Sequence, residues 1–307
     1  MKKVLITGGS GSIGKAFIKK YYDLYEFYNI SRGEKLQAEL KDEFPLVTNY
    51  TASIEDECAL YSVYDKVKPD IVIHTAAMKH IEVIEQHPIQ GCKINILGSL
   101  NVISASRWFH VPMTINISTD KACRSKSVYG NAKFLVEKCF MEANTDRNKF
   151  ISCRFANVAN SSSSIIPRWK KMKEDGVPLR VTDKKMNRMM FSLEDSALFI
   201  YKSIGMCDLH GGGWIGVKGD MKTVNIYELA KSISDDVEII GVRSHVEKFE
   251  EDLISERELP FTTILDWDFF IVSNKKNDNN NRLTEPYGSL NTQKMTEEEI
   301  KEMIEGE

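Results

Sequence analysis

The chain has 307 residues, enough for one large domain with a full core, or one domain with a smaller companion. Its 41 basic and 44 acidic residues leave a formal charge of -3, which gives no general attraction for DNA or RNA, so no nucleic-acid partner is expected. No apolar run is long enough to cross a bilayer, and the N-terminus lacks an apolar signal region, so no membrane partner is expected either.

Lys2-Lys3-Val4-Leu5-Ile6-Thr7 reads as a strand, followed by the tight turn Gly8-Gly9-Ser10-Gly11-Ser12-Ile13-Gly14 and a helix from about Lys15 to Tyr25. Gly9, Gly11 and Gly14 have the G-x-G-x-x-G spacing that lets a pyrophosphate approach backbone N–H groups at a helix start. Gly8, Ser10, Gly11, Ser12, Ile13 and Gly14 are therefore expected to hold a dinucleotide. A short strand, Phe27 to Ile30, then delivers Ser31 and Arg32 to the adenosine ribose. The acidic ribose clamp of an NAD site is absent there, and Arg32 suits a 2′-phosphate with Ser31 adding a hydroxyl, so NADP is expected over NAD. Glu34 argues the other way, and Lys35 reads either as phosphate ligand or as solvent-facing.

Leu46 to Tyr50 is a third strand, with Ser53 and Ile54 in the loop beside the adenine. Ile71 to Ala77 is a buried strand ending in small residues, so Ala76 and Ala77 admit the cofactor closely. Lys79 beyond them can meet a phosphate or sugar oxygen; His80 reads equally as a ligand or a hydrogen-bonded structural residue. A long helix is expected over Ile89–Ser106, where Asn95 is either a support for the strand ends or an ordinary helix polar group. With six histidines and no close ligand cluster, no metal is expected. The six cysteines lack metal-type pairs and scaffold spacing, which predicts a reducing, cytoplasmic setting.

Met113 to Ile117 reads as a central buried strand, and Thr119, Asp120 and Lys121 arrive at its C-terminal end, where open α/β sheets bind ligands. Tyr129 and Lys133, four apart, share a helix face, and a nearby cation favours the ionised phenol. Alternating strands and helices through this half predict a doubly wound parallel sheet. The second half adds a strand from Phe150 to Phe155 ending at Asn157, and a serine loop, Asn160 to Ser164, that is either a polar ligand site or a flexible linker. Arg188 has a guanidinium suited to phosphate oxygens. A strand from Val237 delivers Arg243, which serves either a ligand or a structural ion pair. The Ser273–Arg282 segment is Asn/Lys/Asp-rich and expected as loop, and Thr296 starts an acidic terminal helix.

T-G-G-S-G-S-I-G at Thr7–Gly14, H-T-A-A-M-K-H at His74–His80, S-T-D-K-A at Ser118–Ala122 and V-Y-G-N-A-K at Val128–Lys133 resemble an extended short-chain dehydrogenase/reductase. More narrowly, with Cys153 to Val158, Ser164 to Pro167, Ile240 to Arg243 and Tyr287 to Asn291, the chain resembles the UDP-N-acetylglucosamine 4,6-dehydratases, 5-epimerising (inverting) members included. The resemblance implies an α/β, Rossmann-type doubly wound sheet with a smaller C-terminal α/β substrate region, here divided as residues 1–160 and 161–307 with chain crossovers between them. It implies a homo-oligomer and a UDP-sugar substrate, with Thr119, Asp120, Lys121, Tyr129 and Lys133 catalytic. Tyr129 and Lys133 also contact the cofactor, alongside Ser53, Ile54, Ala76, Ala77, Lys79 and Asn95. Lys79, His80, Asn157, Ser164, Arg188, Arg243 and Glu247 then face the substrate. The same tyrosine and cofactor would serve a UDP-sugar 4-epimerase, which has no need of Asp120 and Lys121, and a non-catalytic nucleotide-sugar binder is the third reading. Ser53, Ser162 and Asn187 depart from the family pattern in the binding loops, as does Arg243-Ser244-His245-Val246-Glu247-Lys248.

Overall fold

Alternation along the first strand sets the layering. Val4 and Ile6 point into one core and Leu5 into another, all completely buried, so the sheet they share is covered on both faces. The computed structural model describes residues 1–241 and 248–306. Its strands in the first half are β1 (Lys2–Thr7), β2 (Tyr25–Ser31), β3 (Thr48–Thr51), β4 (Ile71–His74), β5 (Met113–Thr119), β6 (Lys149–Phe155) and β7 (Asn157–Val158). The second half adds β8 (Leu179–Val181), β9 (Asn187–Phe191), β10 (Trp214–Lys218), β11 (Lys222–Asn225), β12 (Val237–Ile239), β13 (Asp252–Ile254), β14 (Thr262–Asp266), β15 (Phe269–Ser273) and β16 (Tyr287–Gly288).

Among the described residues the main sheet has nine strands in the order β14-β15-β10-β6-β5-β4-β1-β2-β3. From β3 to β10 the pairs are parallel, as crossover helices require, whereas β15 and β14 form an antiparallel hairpin edge that the alternating pattern did not predict. The chain thus returns to the large sheet after residue 160. All seven residues of β5 are buried because β4 and β6 flank it and helices cover it.

On one face lie α1 (Ser12–Tyr21), α2 (Glu34–Glu43) and, from the second half, an 18-residue helix, Leu193–His210. Phe17, Ile18, Phe199 and Ile200 fill that side. The other face carries α3 (Glu57–Val67), α4 (Ile81–Gln86), α5 (Pro88–Cys92), α6 (Gly98–Trp108) and α7 (Val128–Ala143). Each fully buried Leu, Ile, Val or Phe contributes about 1.5–3 kcal/mol by leaving water. In the second half, α8 (Ile165–Glu174), α9 (Leu193–His210), α10 (Ile226–Ile233) and α11 (Glu297–Glu305) accompany the short sheets, and Trp169, Leu179 and Leu229 centre a separate core. A β11-β9-β7 sheet and the β8-β12 and β13-β16 pairs complete that region.

Two local expectations are corrected and a third is met. The long helix over Ile89–Ser106 is interrupted by a π-helical turn, Lys93–Leu97, which rotates Asn95 inward. The strand expected over Val237–Arg243 ends at Ile239; Arg243 itself, and Glu247, lie outside the described residues. The Asn-rich segment is a loop, as expected, and is anchored by Asn277, which is buried and donates to the Thr262 carbonyl at 2.9 Å. Among the described residues no helix is long and apolar enough to cross a membrane, and no cluster of His, Cys, Asp and Glu could hold a metal ion.

Candidate active site

A cleft of about 1330 Å³ runs along the C-terminal ends of β1, β2, β4 and β5 and continues between the main sheet and the smaller region. At its head Gly8 adopts φ +76° and its N–H donates to the Ile30 carbonyl at 2.7 Å; a Cβ there would meet the Ala76 backbone at 3.0 Å. Gly14 lets the first turn of α1 sit on the loop, where a Cβ would lie 2.6 Å from Gly9 Cα. No side chain caps α1 at Gly11, so its first N–H groups face the cleft, and Ser10, Gly11, Ser12 and Ile13 line it. These residues fit a dinucleotide pyrophosphate.

The adenosine end does not single out a 2′-phosphate. Arg32 is exposed, Lys35 pairs with Glu39 along α2, and Ser31 Oγ accepts from Asn29 Nδ2 at 3.2 Å and Gln37 Nε2 at 3.0 Å. Ile54 lines the cleft, as does Ser53, whose hydroxyl turns to Glu55 Oε2 at 3.1 Å. Ala76 and Ala77 form the wall beyond β4. Asn95 does not reach the cofactor side: its amide brackets Met78, accepting from the N–H and donating to the carbonyl, each at 2.8 Å. It shapes the loop that carries Lys79 and His80, both of which line the cleft. Lys79 Nζ donates to Ser162 Oγ at 3.2 Å, while the Ser162 N–H donates to Ser12 Oγ at 2.9 Å, so the serine loop bridges the cleft mouth. The hydroxyls of Ser118 and Ser164 are buried on the cleft wall without a partner among the described residues.

Tyr129 stands on the cleft wall in the first turn of α7, a helix capped by Ser127, which accepts from the Gly130 N–H at 3.0 Å. Lys133 lies one turn on and donates to the Ile117 carbonyl at 2.7 Å, fastening α7 to β5. The expected lowering of the phenol's pKa is not seen. Burial pushes Tyr129 up to about 12, opposed by the charge of Lys121 and supported by Asp120; Lys133 is not among the causes. Burial in turn lowers Lys133 to about 8.

Thr119, Asp120 and Lys121 end β5 and enter a 3-10 turn. The Thr119 hydroxyl donates to Asp120 Oδ1 at 2.7 Å, so it engages the acid rather than the tyrosine. Asp120 is completely buried and Lys121 Nζ lies 3.1 Å from its Oδ1. The residue that sequence reasoning missed is Glu251, just before β13. Its buried carboxylate places Oε1 3.3 Å from Lys121 Nζ and accepts at Oε2 from Asn157 Nδ2 at 2.9 Å. Asn157 thus ties the cluster together rather than standing alone before a substrate. Arg188 lines the cleft but spends its guanidinium bracing the same segment, donating to the carbonyls of Lys248 at 2.7 Å and Phe249 at 3.0 Å and lying 3.5 Å from Glu251 Oε2. Arg188 thus combines a place on the cleft wall with a bracing role for this segment.

Electrostatics sorts these groups. Burial first, and then the Glu251 carboxylate, raise Asp120 to about 6, against the opposing pull of Lys121 and the Thr119 hydrogen bond. Burial alone would lower Lys121, but the charges of Asp120 and Glu251 outweigh it and hold the side chain as an ammonium, above its ordinary range. Burial would raise Glu251, yet Lys121 and Arg188 hold it well below the usual carboxylate range. The arrangement can therefore offer a proton from a carboxylic acid near neutral pH, beside a phenol and two lysines.

The chain matches the family model described as "Polysaccharide biosynthesis protein" over residues 4–271. It is 34% identical over 273 residues to a UDP-N-acetylglucosamine 4,6-dehydratase (inverting) of Campylobacter jejuni, covering 85% of this chain and 80% of that one. The solved structure of Pen from Bacillus thuringiensis superimposes with a TM-score of 0.89 at 26% identity, covering 99% of this chain and 96% of that chain. The UDP-glucose 4-epimerase of Thermus thermophilus, solved in complex with NAD, shares the fold at a TM-score of 0.69 and 19% identity, over 79% of this chain and 88% of that one. Other structures of this fold whose names state a nicotinamide cofactor also state NAD, which overturns the expectation of NADP drawn from Arg32. The match along most of its length places the chain in the polysaccharide biosynthesis protein family, to which the inverting UDP-N-acetylglucosamine 4,6-dehydratases belong.

Proposed function

We propose that this protein is an NAD-dependent UDP-N-acetylglucosamine 4,6-dehydratase that also inverts C5, a lyase of nucleotide-sugar metabolism that works as a homo-oligomer. The carrying observation is the buried Asp120–Lys121 pair at the end of β5, in which Lys121 lines the same cleft as Tyr129 and Asp120 lies directly behind it. A pure 4-epimerase needs the tyrosine but no acid for a leaving hydroxyl. The six cysteines, all free, suit a cytoplasmic setting.

A dinucleotide held along Gly8, Ser10, Gly11, Ser12 and Ile13 would supply the hydride acceptor for sugar C4 and the hydride donor for C6. Tyr129, once its phenolic proton has passed to solvent, takes the C4 hydroxyl proton as the ketone forms. The ketone acidifies the C5 hydrogen. Lys121 reaches the cleft and is the base for that proton; charged at rest, it first passes its own proton to the Asp120–Glu251 carboxyls, which arms Asp120 in the same move. Asp120 then protonates the C6 hydroxyl, the C6–O bond breaks, and water leaves with formation of the C5–C6 double bond. Return of a solvent proton to C5 from the opposite face completes the inverted 4-keto-6-deoxy sugar. Loss of one water and no net change of cofactor balance the reaction.

Incubation with UDP-N-acetylglucosamine and NAD, without added reductant, tests the reading by mass and NMR of the product. Loss of water with an inverted C5 is expected. A product of unchanged mass with inverted C4 makes the protein an epimerase instead.

A further inference from the structure

Glu251 is the one carboxylate of the cluster that no sequence motif announced, and it is built in with care. Its backbone N–H donates to Ser289 Oγ at 3.0 Å and its carbonyl accepts from the Ser289 N–H at 2.8 Å, which fixes the residue at the start of the β13-β16 pair. Its two oxygens are divided between Lys121 on one side and Asn157 and Arg188 on the other. The same Asn157 amide lies 3.5 Å from Asp120 Oδ2, so one side chain spans both carboxyls. Only 3% of Glu251 is exposed, and the residue does not line the cleft.

Resting on the dehydratase reading, we propose that Glu251 is a positioning residue that shares a proton with Asp120 and thereby keeps Asp120 as the acid that expels the C6 hydroxyl. Two carboxyls in hydrogen-bond contact cannot both ionise at low cost, because like charges repel strongly in a dry interior. The proton that stays on the pair is the one delivered to the leaving oxygen. It is the proton received from Lys121, which is thereby freed to take the C5 proton, and it leaves as part of the departing water. Glu251 forms no bond to substrate and changes no oxidation state.

The charged and titratable groups facing Asp120 are Lys121 beside it in the 3-10 turn, Tyr129 on α7, and Glu251 and Lys248 on the segment before β13; Arg188 on β9 faces Lys121 and Glu251. Lys121 pulls the Asp120 titration down, and burial and Glu251 push it up. Replacing Glu251 by a neutral isostere leaves burial against Lys121, so Asp120 must ionise at lower pH.

The test compares the wild type with E251Q and E251D across pH, following two signals with UDP-N-acetylglucosamine in deuterated buffer. One is exchange of the C5 hydrogen, the other loss of the C6 oxygen by mass. For E251Q the high-pH limb of water loss is expected to move acidward by about one unit, so that the rate above neutral pH falls about tenfold, since protonated acid declines tenfold per unit beyond its pKa. C5 exchange is expected to persist within about threefold, because loss of the Glu251 charge eases deprotonation of Lys121 while making Asp120 a poorer acceptor of that proton, and the two effects oppose. E251D keeps the charge and should keep the wild-type limb at a lower rate. A limb that stays in place in E251Q, or exchange and water loss falling together by one factor at every pH, overturns the proposal and leaves Glu251 a structural residue. A wild-type protein that releases no water overturns the dehydratase reading, and this proposal with it.

Discussion

Arg154 offers the sharpest check on how the site is held. Its guanidinium is completely buried between two carboxylates, donating to Glu137 at 2.9 and 2.6 Å and to Glu258 at 2.9 and 3.2 Å, with a further bond to the Leu253 carbonyl at 2.7 Å. Glu137 belongs to α7, the helix of Tyr129 and Lys133, and Glu258 follows the strand that Glu251 leads into. Arg154→Met removes the cation and strands both acids, a change that costs about 3–5 kcal/mol when a buried pair loses one partner. Total stability of about 5–15 kcal/mol leaves the variant folded but weakened. Burial would raise Glu258, yet the Arg154 charge and hydrogen bonds, helped by Ser255, bring it from 4.5 down to about 2. A carboxyl so depressed contributes stability above its unfolded pKa, here about 3 kcal/mol at neutral pH, and loses it as pH falls toward 2. The deficit of R154M should therefore shrink on acidification, as the stranded acids protonate. Urea unfolding followed by tryptophan fluorescence at pH 7 and pH 4.5 measures it, with R154M/E258Q as the coupled pair. A cost below about 1 kcal/mol at pH 7, or strictly additive single and double variants, would refute this account of the network.

Three other predictions come from single positions. A Cβ at Gly130 would lie 2.2 Å from the Lys121 carbonyl oxygen, backbone that cannot step aside, whereas Gly205 on α9 has nothing within 4 Å. G130A should cost about 1–3 kcal/mol and slow turnover by displacing Lys121, while G205A should stabilise by about 0.5–1 kcal/mol; equal melting shifts of one sign would contradict both. His74 sits wholly buried between Thr7 Oγ1 at 2.7 Å and Ser99 Oγ at 2.9 Å, and burial lowers it to about 3. The fold refuses a proton that the unfolded chain accepts below 6.5, so His74 removes about 1.4 kcal/mol per pH unit from there down to about 3. Stability of H74Q measured against pH should lack that slope; a slope identical to wild type would discard it.

How much of this the sequence carried depends on the distance between cause and effect. The β1 strand, the glycine turn and α1 are encoded within 20 consecutive residues by alternation and spacing and appear in that order, although α1 spans Ser12–Tyr21 rather than Lys15–Tyr25, and Tyr25 already opens β2. Tyr129 and Lys133 were legible because helical spacing puts them on one side of α7. The mutual influence assigned to them was not, because desolvation, a property of the packed surroundings, outweighs a neighbouring charge. Asn95 looked like a site residue until the π-turn, which no local propensity signals, aimed it at Met78. Glu251 could not be singled out from the acidic run around it. Only the pairing of β13 with β16 and the reach of Arg188 bring it to Asp120. Arg32 shows the converse error, in which a suggestive side chain was read without knowing that it would stand in solvent.

The strand order has a consequence for how the protein is made. The first six strands of the main sheet emerge consecutively, but the outer edge of β6 waits for β10 at residue 214, and the antiparallel hairpin for residues 262–273. During synthesis a nearly complete, largely apolar half-sheet stands with an open edge, the situation most prone to wrong pairing between nascent chains. A chain halted before residue 214 would retain the nucleotide turn and the tyrosine, yet its edge would be sticky and its acid without its partner. Chemistry arrives last, with the segment that also completes the protein's seal against its neighbours.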